Sequence, residues 1–253
     1  MKQVKNIFDD GILQCARYAY MPNRLRYCGG DKNFDLFEYV TNQQTDEGLK
    51  EILHDFATLD PYLKLIAQSS NIKDQFDKKV IEAYWIGNDL LDKVKVSKLY
   101  RHLVDEHDMK KKLKPEIWQQ VEVVLPAGAK PHHSFHVFNI PKRSGNYPVE
   151  HTISTMDECR ISWGKIIKGP KAQKITVKYQ PLVYQNNQFA LGEEIEKEVL
   201  YQNEDKSFVS DLEVGDTIAM HWSWVCEKLN PQQVNNLNKW TNYHISLKNL
   251  EYA

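Results

Sequence analysis

The sequence lacks the features that mark a membrane protein, a disulfide-rich secreted protein or a nucleic-acid-binding protein. No apolar run approaches the length needed to cross a bilayer, and the opening residues MKQVKNIFDDG have no signal-peptide core. The four cysteines form no CxxC pair, so we expect reduced thiols rather than a disulfide framework. A formal net charge of −1 gives no field that favours nucleic acid or a membrane surface. These absences predict a cytoplasmic protein with neither of those partners.

What is present is an ordinary globular composition. The chain has 253 residues, of which 42% are hydrophobic and 26% charged, enough for one large domain or two smaller ones. We predict an α+β protein: a helical N-terminal domain followed by a small OB-like β-barrel with a C-terminal helix. The expected divisions are a helical domain over 1–118, a β bridge and linker over 119–154, and the barrel with its helix over 155–253.

Helical periodicity dominates the first half. Apolar residues keep helical spacing over 49–56, and Asp60-Pro61 has the character of a helix start for a segment that runs to Ala67. A longer apolar stripe from Asp74 to Leu91 and a shorter one over 99–103 predict two further helices. The aromatic residues of these stripes are expected to be core.

The periodicity changes near Pro115. Val121–Leu125 and His133–Ile140 are predicted to be strands, joined by a Pro/Gly-rich turn. Pro141–Pro148 is predicted to be a loop and a candidate linker. Beyond Thr155, short alternating segments predict a barrel, followed by a helix from Pro231 and a last segment that adds a strand or packs on that helix. The alternating segments are 175–179, 189–191, 198–202 and 217–225, and the last segment is 244–250.

One stretch near the C-terminus carries a candidate functional residue. Val214-Gly215-Asp216 predicts a tight turn, and Thr217–Val225 predicts a strand that holds His221 in its middle with Trp222 beside it. An imidazole on a rigid strand is a candidate metal ligand or proton donor, although a hydrogen-bonded sheet histidine is the ordinary alternative. Alternation places Cys226 on the opposite face from His221, where we expect it to be packing.

A second stretch, C-R-I-S-W-G-K-I from Cys159, reads as a short strand that begins with a cysteine. Together with V-G-D-T-I-A-M-H-W and the trailing helix, it resembles the HypC/HupF family of [NiFe]-hydrogenase maturation chaperones over the last third of the chain. The resemblance implies that Cys159 and His221 hold an iron carrying cyanide and carbon monoxide. It also implies hydrogenase maturation proteins or the hydrogenase large subunit as partners, and iron as the bound metal.

The chemistry of this pair suits that role. Low-spin Fe(II) accepts a soft thiolate and an imidazole, and Arg160 beside the thiol would favour the thiolate, whereas Asp157 and Glu158 would oppose it. Two features depart from the family pattern. Cys159 is internal rather than N-terminal, and Trp163 replaces the proline before glycine.

The segment from Cys15 to Gly30 brings together two thiols and three arginines around a Pro-Asn turn. With E-A-Y-W-I-G-N-D-L-L further along, it resembles an uncharacterised bacterial family associated with hydrogenase gene neighbourhoods. The arginines are candidates for an acidic partner or an anion, or they cap helix ends and pair with nearby aspartates. The predicted partner-binding residues are Arg17, Arg24, Arg26, Trp163 and Trp222.

A histidine group offers an alternative function. His132, His133 and His136, with Cys15 or Cys28 brought near by folding, could form the site of a metal-dependent enzyme. On a strand, His132 and His136 would share a face roughly 13 Å apart while His133 pointed the other way, so another element would have to supply ligands. This enzyme needs three such groups around an open cavity. The chaperone needs Cys159 facing His221 at the barrel surface, and a third possibility is an adaptor without metal.

Overall fold

The structure, a computed structural model, describes residues 11–141 and 145–250. Residues 142–144 of the predicted linker lie outside the described residues. Within the described part, the helices are α1 (Gly11–Arg24), α2 (Asn33–Thr41), α3 (Glu47–His54), α4 (Leu59–Ser69), α5 (Lys78–Trp85), α6 (Val96–Asp105), α7 (Met109–Lys112), α8 (Pro115–Val124), α9 (His133–Asn139), α10 (Ile153–Cys159) and α11 (Pro231–Asn249). The strands are β1 (Ser162–Lys171), β2 (Lys174–Tyr179), β3 (Leu182–Gln185), β4 (Gln188–Leu191), β5 (Ile195–Leu200), β6 (Gln202–Asn203), β7 (Lys206–Ser207), β8 (Thr217–His221) and β9 (Trp224–Lys228).

The N-terminal helices assemble around α1. Eleven of its fourteen residues are buried, so α1 is a central helix rather than a surface one. The predicted helices are confirmed as α3, α4, α5 and α6, with shifted ends. α5 is shorter than its apolar stripe because it begins after the Asp77 cap and ends at Trp85, just before Gly87 at φ 92°. A 3₁₀ turn, Asp89–Lys93, carries the rest of the stripe.

The two strands predicted over 119–154 are wrong, because both segments are helical. Val121–Leu125 belongs to α8 and its C-terminal cap; Pro115 occupies the first turn, and Trp118, Val121 and Val124 are buried at helical spacing. His133–Ile140 belongs to α9 and its cap, and every residue of α9 is buried. A short segment buried on all sides shows neither the helical nor the strand period, so its type was not readable.

The C-terminal part forms a closed barrel in the order β1-β2-β5-β9-β8. Its pairs are antiparallel except β5 with β9, and its interior is filled by a cluster of mostly branched side chains that includes Ile166, Val177, Val199 and Ile218. The α+β class, the helical N-terminal part, the barrel and the C-terminal helix are therefore confirmed. The strand considered for 244–250 is wrong, since α11 runs through Asn249.

The segment predicted as one strand over 217–225 is a hairpin. β8 ends at His221, and β9 begins at Trp224, which pairs directly with His221. The two linking residues, Trp222 and Ser223, have φ of 53° and 55°, as two-residue hairpin turns require. Neither residue carries the Asn-Gly or Asp-Gly signal of such turns, which is why the break was missed. Cys159 is likewise the last residue of α10, not the opening of a strand.

The helical part and the barrel share one hydrophobic core. Ala219, Trp224 and Cys226 of the hairpin belong to the same buried cluster as the helices. A polar contact joins the two parts as well: the Glu227 carboxylate accepts from the Tyr18 hydroxyl at 2.6 Å. None of the helices in the described ranges has the length and apolarity needed to cross a bilayer.

Candidate metal centre

Three metal-ligating side chains converge between the helices and the barrel. His133, Cys159 and His221 place one ligand atom each within 4.8 Å of one another. His133 is the first residue of α9, Cys159 the last of α10 and His221 the last of β8. All three are buried, with exposures of 7%, 3% and 1%. The two residues that the family resemblance named therefore lie together, and one member of the predicted histidine group completes the triad.

His221 is held in the tautomer that a metal ligand needs. Its Nδ1 donates to the backbone carbonyl of Tyr18 at 2.7 Å. A carbonyl only accepts, so the proton lies on Nδ1 and the lone pair of the ring lies on Nε2. The rings of Trp85 and His133 lie 5.6 and 5.1 Å away and fix the imidazole plane.

His133 is a neutral imidazole with a defined orientation. Its Nε2 donates to the carbonyl of Cys159 at 2.8 Å, and its Nδ1 accepts from the Tyr84 hydroxyl at 3.2 Å. Burial, with the His221 ring as a smaller cause, holds the pKa of His133 well below its usual range. Burial also raises the pKa of Tyr84, which stays protonated. A metal ion bound at Nδ1 would take the place of the Tyr84 hydroxyl hydrogen.

The charges next to Cys159 are paired with one another rather than with the thiol. Arg160 donates from Nε to Asp157 at 2.9 Å and stands only 1% exposed. Glu158 accepts from the Lys197 ammonium and, at 2.8 Å, from the Ser223 hydroxyl. The expected help from Arg160 and the expected opposition from the two acids are thus largely compensated within these pairs.

A cavity of ≈ 30 Å³ adjoins the triad. This volume holds about one water-sized particle, so a single ion fits and an organic substrate does not. Its walls are mostly apolar, and His136 also lines it, with its Nδ1 hydrogen-bonded to the Tyr62 hydroxyl at 3.3 Å. The full lining is Ala19, Pro22, Cys28, Phe56, Thr58, Leu59, Tyr84, Trp85, His133, His136, Cys159 and His221.

The predicted histidine and cysteine group is divided by the helical form of α9. His133 and His136, three residues apart, both face the cavity, which corrects their expected placement on opposite faces. His132 precedes the helix as its cap, where Nδ1 accepts from the Ser134 amide at 3.1 Å, and its ring stacks on His244. Cys28 lines the cavity. Cys15 is a buried residue of α1 that is not part of that lining, and burial raises the pKa of its thiol to about 12.

The five predicted partner-binding residues differ in accessibility. Arg24 and Arg26 are exposed, whereas Arg17 and Trp163 are half-buried. Trp222 is covered by Tyr27, whose ring lies at 4.7 Å. The two exposed arginines are therefore the ones open to an acidic partner.

Sequence reasoning missed three contributors to the centre. Tyr84 and Trp85 were assigned to core alone, yet both line the cavity and contact His133. The Tyr18 carbonyl that orients His221 is a backbone group, for which a sequence carries no signal. For Tyr84 and Trp85, the signal in the sequence was that two aromatic residues stand side by side at the end of a helix.

Comparison with known proteins assigns a family but no activity. Residues 8–253 match the model of the Family of unknown function (DUF6390), and the chain belongs to that family. Neither a curated protein nor a solved structure matches the chain.

Proposed function

Since the family itself has no known function, we propose one from the site: a non-catalytic accessory factor that binds a thiophilic transition-metal ion, iron first, through His133, Cys159 and His221. The observation that carries this proposal is the convergence of the three side chains from three separate elements. Two neutral imidazoles and a thiolate form a donor set for borderline and soft metals rather than for calcium or magnesium.

Maturation of a [NiFe]-hydrogenase is the proposed setting, with a maturation protein or the hydrogenase large subunit as partner. The support is the resemblance to the HypC/HupF family, whose motifs fall on Cys159 and His221 in this sequence. The strand order of the barrel supports the proposal that it is OB-like. Its five strands, taken in chain order, neighbour one another as first-second-third-fifth-fourth, the Greek-key order of such barrels, and a helix follows. The site lies beneath the helical part, so that part would shield the ion.

A metal-dependent enzyme is the second candidate. Its supporting observation is the third ligand, His133, because catalytic metal sites commonly combine three protein ligands with an open position. The volume of ≈ 30 Å³ weighs against turnover of an organic substrate and favours a binding role. An adaptor without metal is the outcome if no preparation binds an ion.

The test is metal analysis with infrared spectroscopy on protein purified anaerobically from a hydrogenase-expressing host. We expect one metal ion per chain in the wild type, lost in His133→Ala, Cys159→Ala and His221→Ala and retained in Cys15→Ala, which removes a thiol outside the cavity. Cyanide and carbonyl stretches would identify the hydrogenase fragment. Metal that survives all three substitutions would contradict this site, and the absence of metal from every preparation would leave the adaptor.

A further inference from the structure

The cavity beside the triad lies nearest to solvent at two of its lining residues. Ten of its twelve lining residues are buried, and Cys28 and Thr58 are the two that are half-buried. Cys28 is half-buried whereas Cys159 is 3% exposed, so an ion that entered beside Cys28 would meet the more accessible thiol first. Of these two half-buried residues, Cys28 carries the soft ligand and Thr58 only a hydroxyl.

The backbone of Cys28 is fixed against the cavity. The buried Asn23 side chain donates to the carbonyl of Cys28 at 2.9 Å and to that of Gly30 at 2.6 Å. Gly29 between them has φ 76°, and a side chain there would collide with the Phe56 ring, itself a cavity wall. The backbone that carries the thiol at position 28 is thus fixed beside the cavity by contacts of its neighbours.

We propose that Cys28 is the loading ligand of this centre, on which a thiophilic metal ion binds before it moves to Cys159, His133 and His221. This inference rests on the proposed metal-binding function. Cys28 stands in the cavity wall outside the three groups whose ligand atoms converge, so it transfers the ion rather than keeping it.

The transfer is a ligand exchange without redox change. The Cys28 thiol gives its proton to solvent when the ion binds. The bond from the metal to the Cys28 sulfur then breaks as the bond to the Cys159 sulfur forms. The proton that leaves the Cys159 thiol passes to the Cys28 thiolate, so charge is conserved. The imidazoles of His133 and His221 are added as neutral ligands and release no proton.

Stopped-flow loading of the metal-free full chain with Co²⁺ tests the proposal, because sulfur-to-cobalt charge-transfer absorption reports thiolate binding. Cys28→Ser keeps the size of the side chain and removes the soft ligand. We expect it to load at least about tenfold more slowly than wild type, with the same final absorption and an affinity within about twofold. Thr58→Val, at the other half-buried lining residue, is the matched control and should load at the wild-type rate.

Two results would overturn the loading role while leaving the metal centre intact. Equal loading rates for Cys28→Ser and wild type would remove Cys28 from the path. A loss of final absorption in Cys28→Ser as large as that in Cys159→Ser would make Cys28 a permanent ligand. Failure of the wild type itself to bind Co²⁺ would instead contradict the proposed function.

Discussion

The buried carboxylate of Glu227 joins the helical part to the barrel. Its replacement by Leu or by Gln should separate the effect of losing the hydrogen-bond acceptor from the effect of losing the titrating group. The Tyr18 hydroxyl donates to this carboxylate at 2.6 Å, and the Gln14 side-chain amide donates to it at 3.0 Å. Glu227→Leu would leave both donors buried without an acceptor, at about 1–3 kcal/mol each. We therefore expect the free energy of unfolding to fall by about 2–6 kcal/mol, or roughly 5–20 °C in Tm for a chain of this length.

Glu227→Gln should be tolerated. The Gln14 carbonyl oxygen is buried and has no hydrogen-bond partner among the described residues. Rotation of the Gln14 amide by half a turn would let that oxygen accept from the new amide, while the Tyr18 hydroxyl would still donate to the new carbonyl. The two variants thus have similar size and opposite expected outcomes.

The pH dependence of the Glu227→Gln effect follows from the direction of the pKa shift. Burial raises the pKa of Glu227, and the hydrogen bonds from Tyr18 and Gln14 oppose part of the rise. The carboxyl therefore stabilises the fold fully below its unfolded pKa, and this contribution is lost as the pH rises through the folded pKa. The stability of Glu227→Gln relative to wild type should increase from about pH 4 to about pH 7.

Urea unfolding of wild type and both variants across this pH range is the assay. Other titrating groups are common to the three proteins and cancel in the differences. Equal stability of the Leu and Gln variants would refute the role assigned to the two donors. A difference between Glu227→Gln and wild type that stays constant with pH would refute the raised pKa.

Two further outcomes are expected. Gly87 has φ 92° and an added Cβ would collide with the Trp240 ring, so Gly87→Ala should lower the free energy of unfolding by about 2–5 kcal/mol. Gly169→Ala, where no described atom lies within 4 Å of the added Cβ, should stay within about 0.5 kcal/mol in the same urea titration. Burial lowers the pKa of His102 to about 3 and that of His107 to about 4, so the fold loses stability as the pH falls below about 6.5. His107→Gln should make this loss shallower by about 1.4 kcal/mol per pH unit between about pH 6 and about pH 4. The test is the free energy of unfolding by urea at these two pH values, and the same loss in the variant as in the wild type would contradict the prediction.

Helices with one apolar face were predictable from the sequence, whereas the fully buried α9 and the turn between β8 and β9 were not. Periodic stripes over 49–56 and 99–103 specified helices because each has one apolar face. The α9 segment has no exposed face at all, so periodicity could not separate helix from strand. The hairpin turn at Trp222–Ser223 uses residues that rarely adopt positive φ, and only the surrounding barrel fixes it.

The candidate site was predictable in part for the same reasons. Cys159 and His221 were identified by motif, although both lie at element ends rather than inside strands. His133 was predicted as a ligand only within the separate histidine group, since its partnership with Cys159 and His221 depends on the helical form of α9 and on chain segments far apart in sequence. Tertiary packing, not local pattern, brings the third ligand in.

The three ligands, each at the end of a different element, give a bound ion a mechanical role. An ion shared by positions 133, 159 and 221 would act as a crosslink that ties two helices to one strand. In the unfolded chain such a crosslink closes loops of about 26 and about 62 residues, worth roughly 3–4 kcal/mol each by the loop-entropy estimate used for disulfides. Departure of the ion would then free the junction between the two parts of the chain, so that release of the ion and loosening of that junction would be one event.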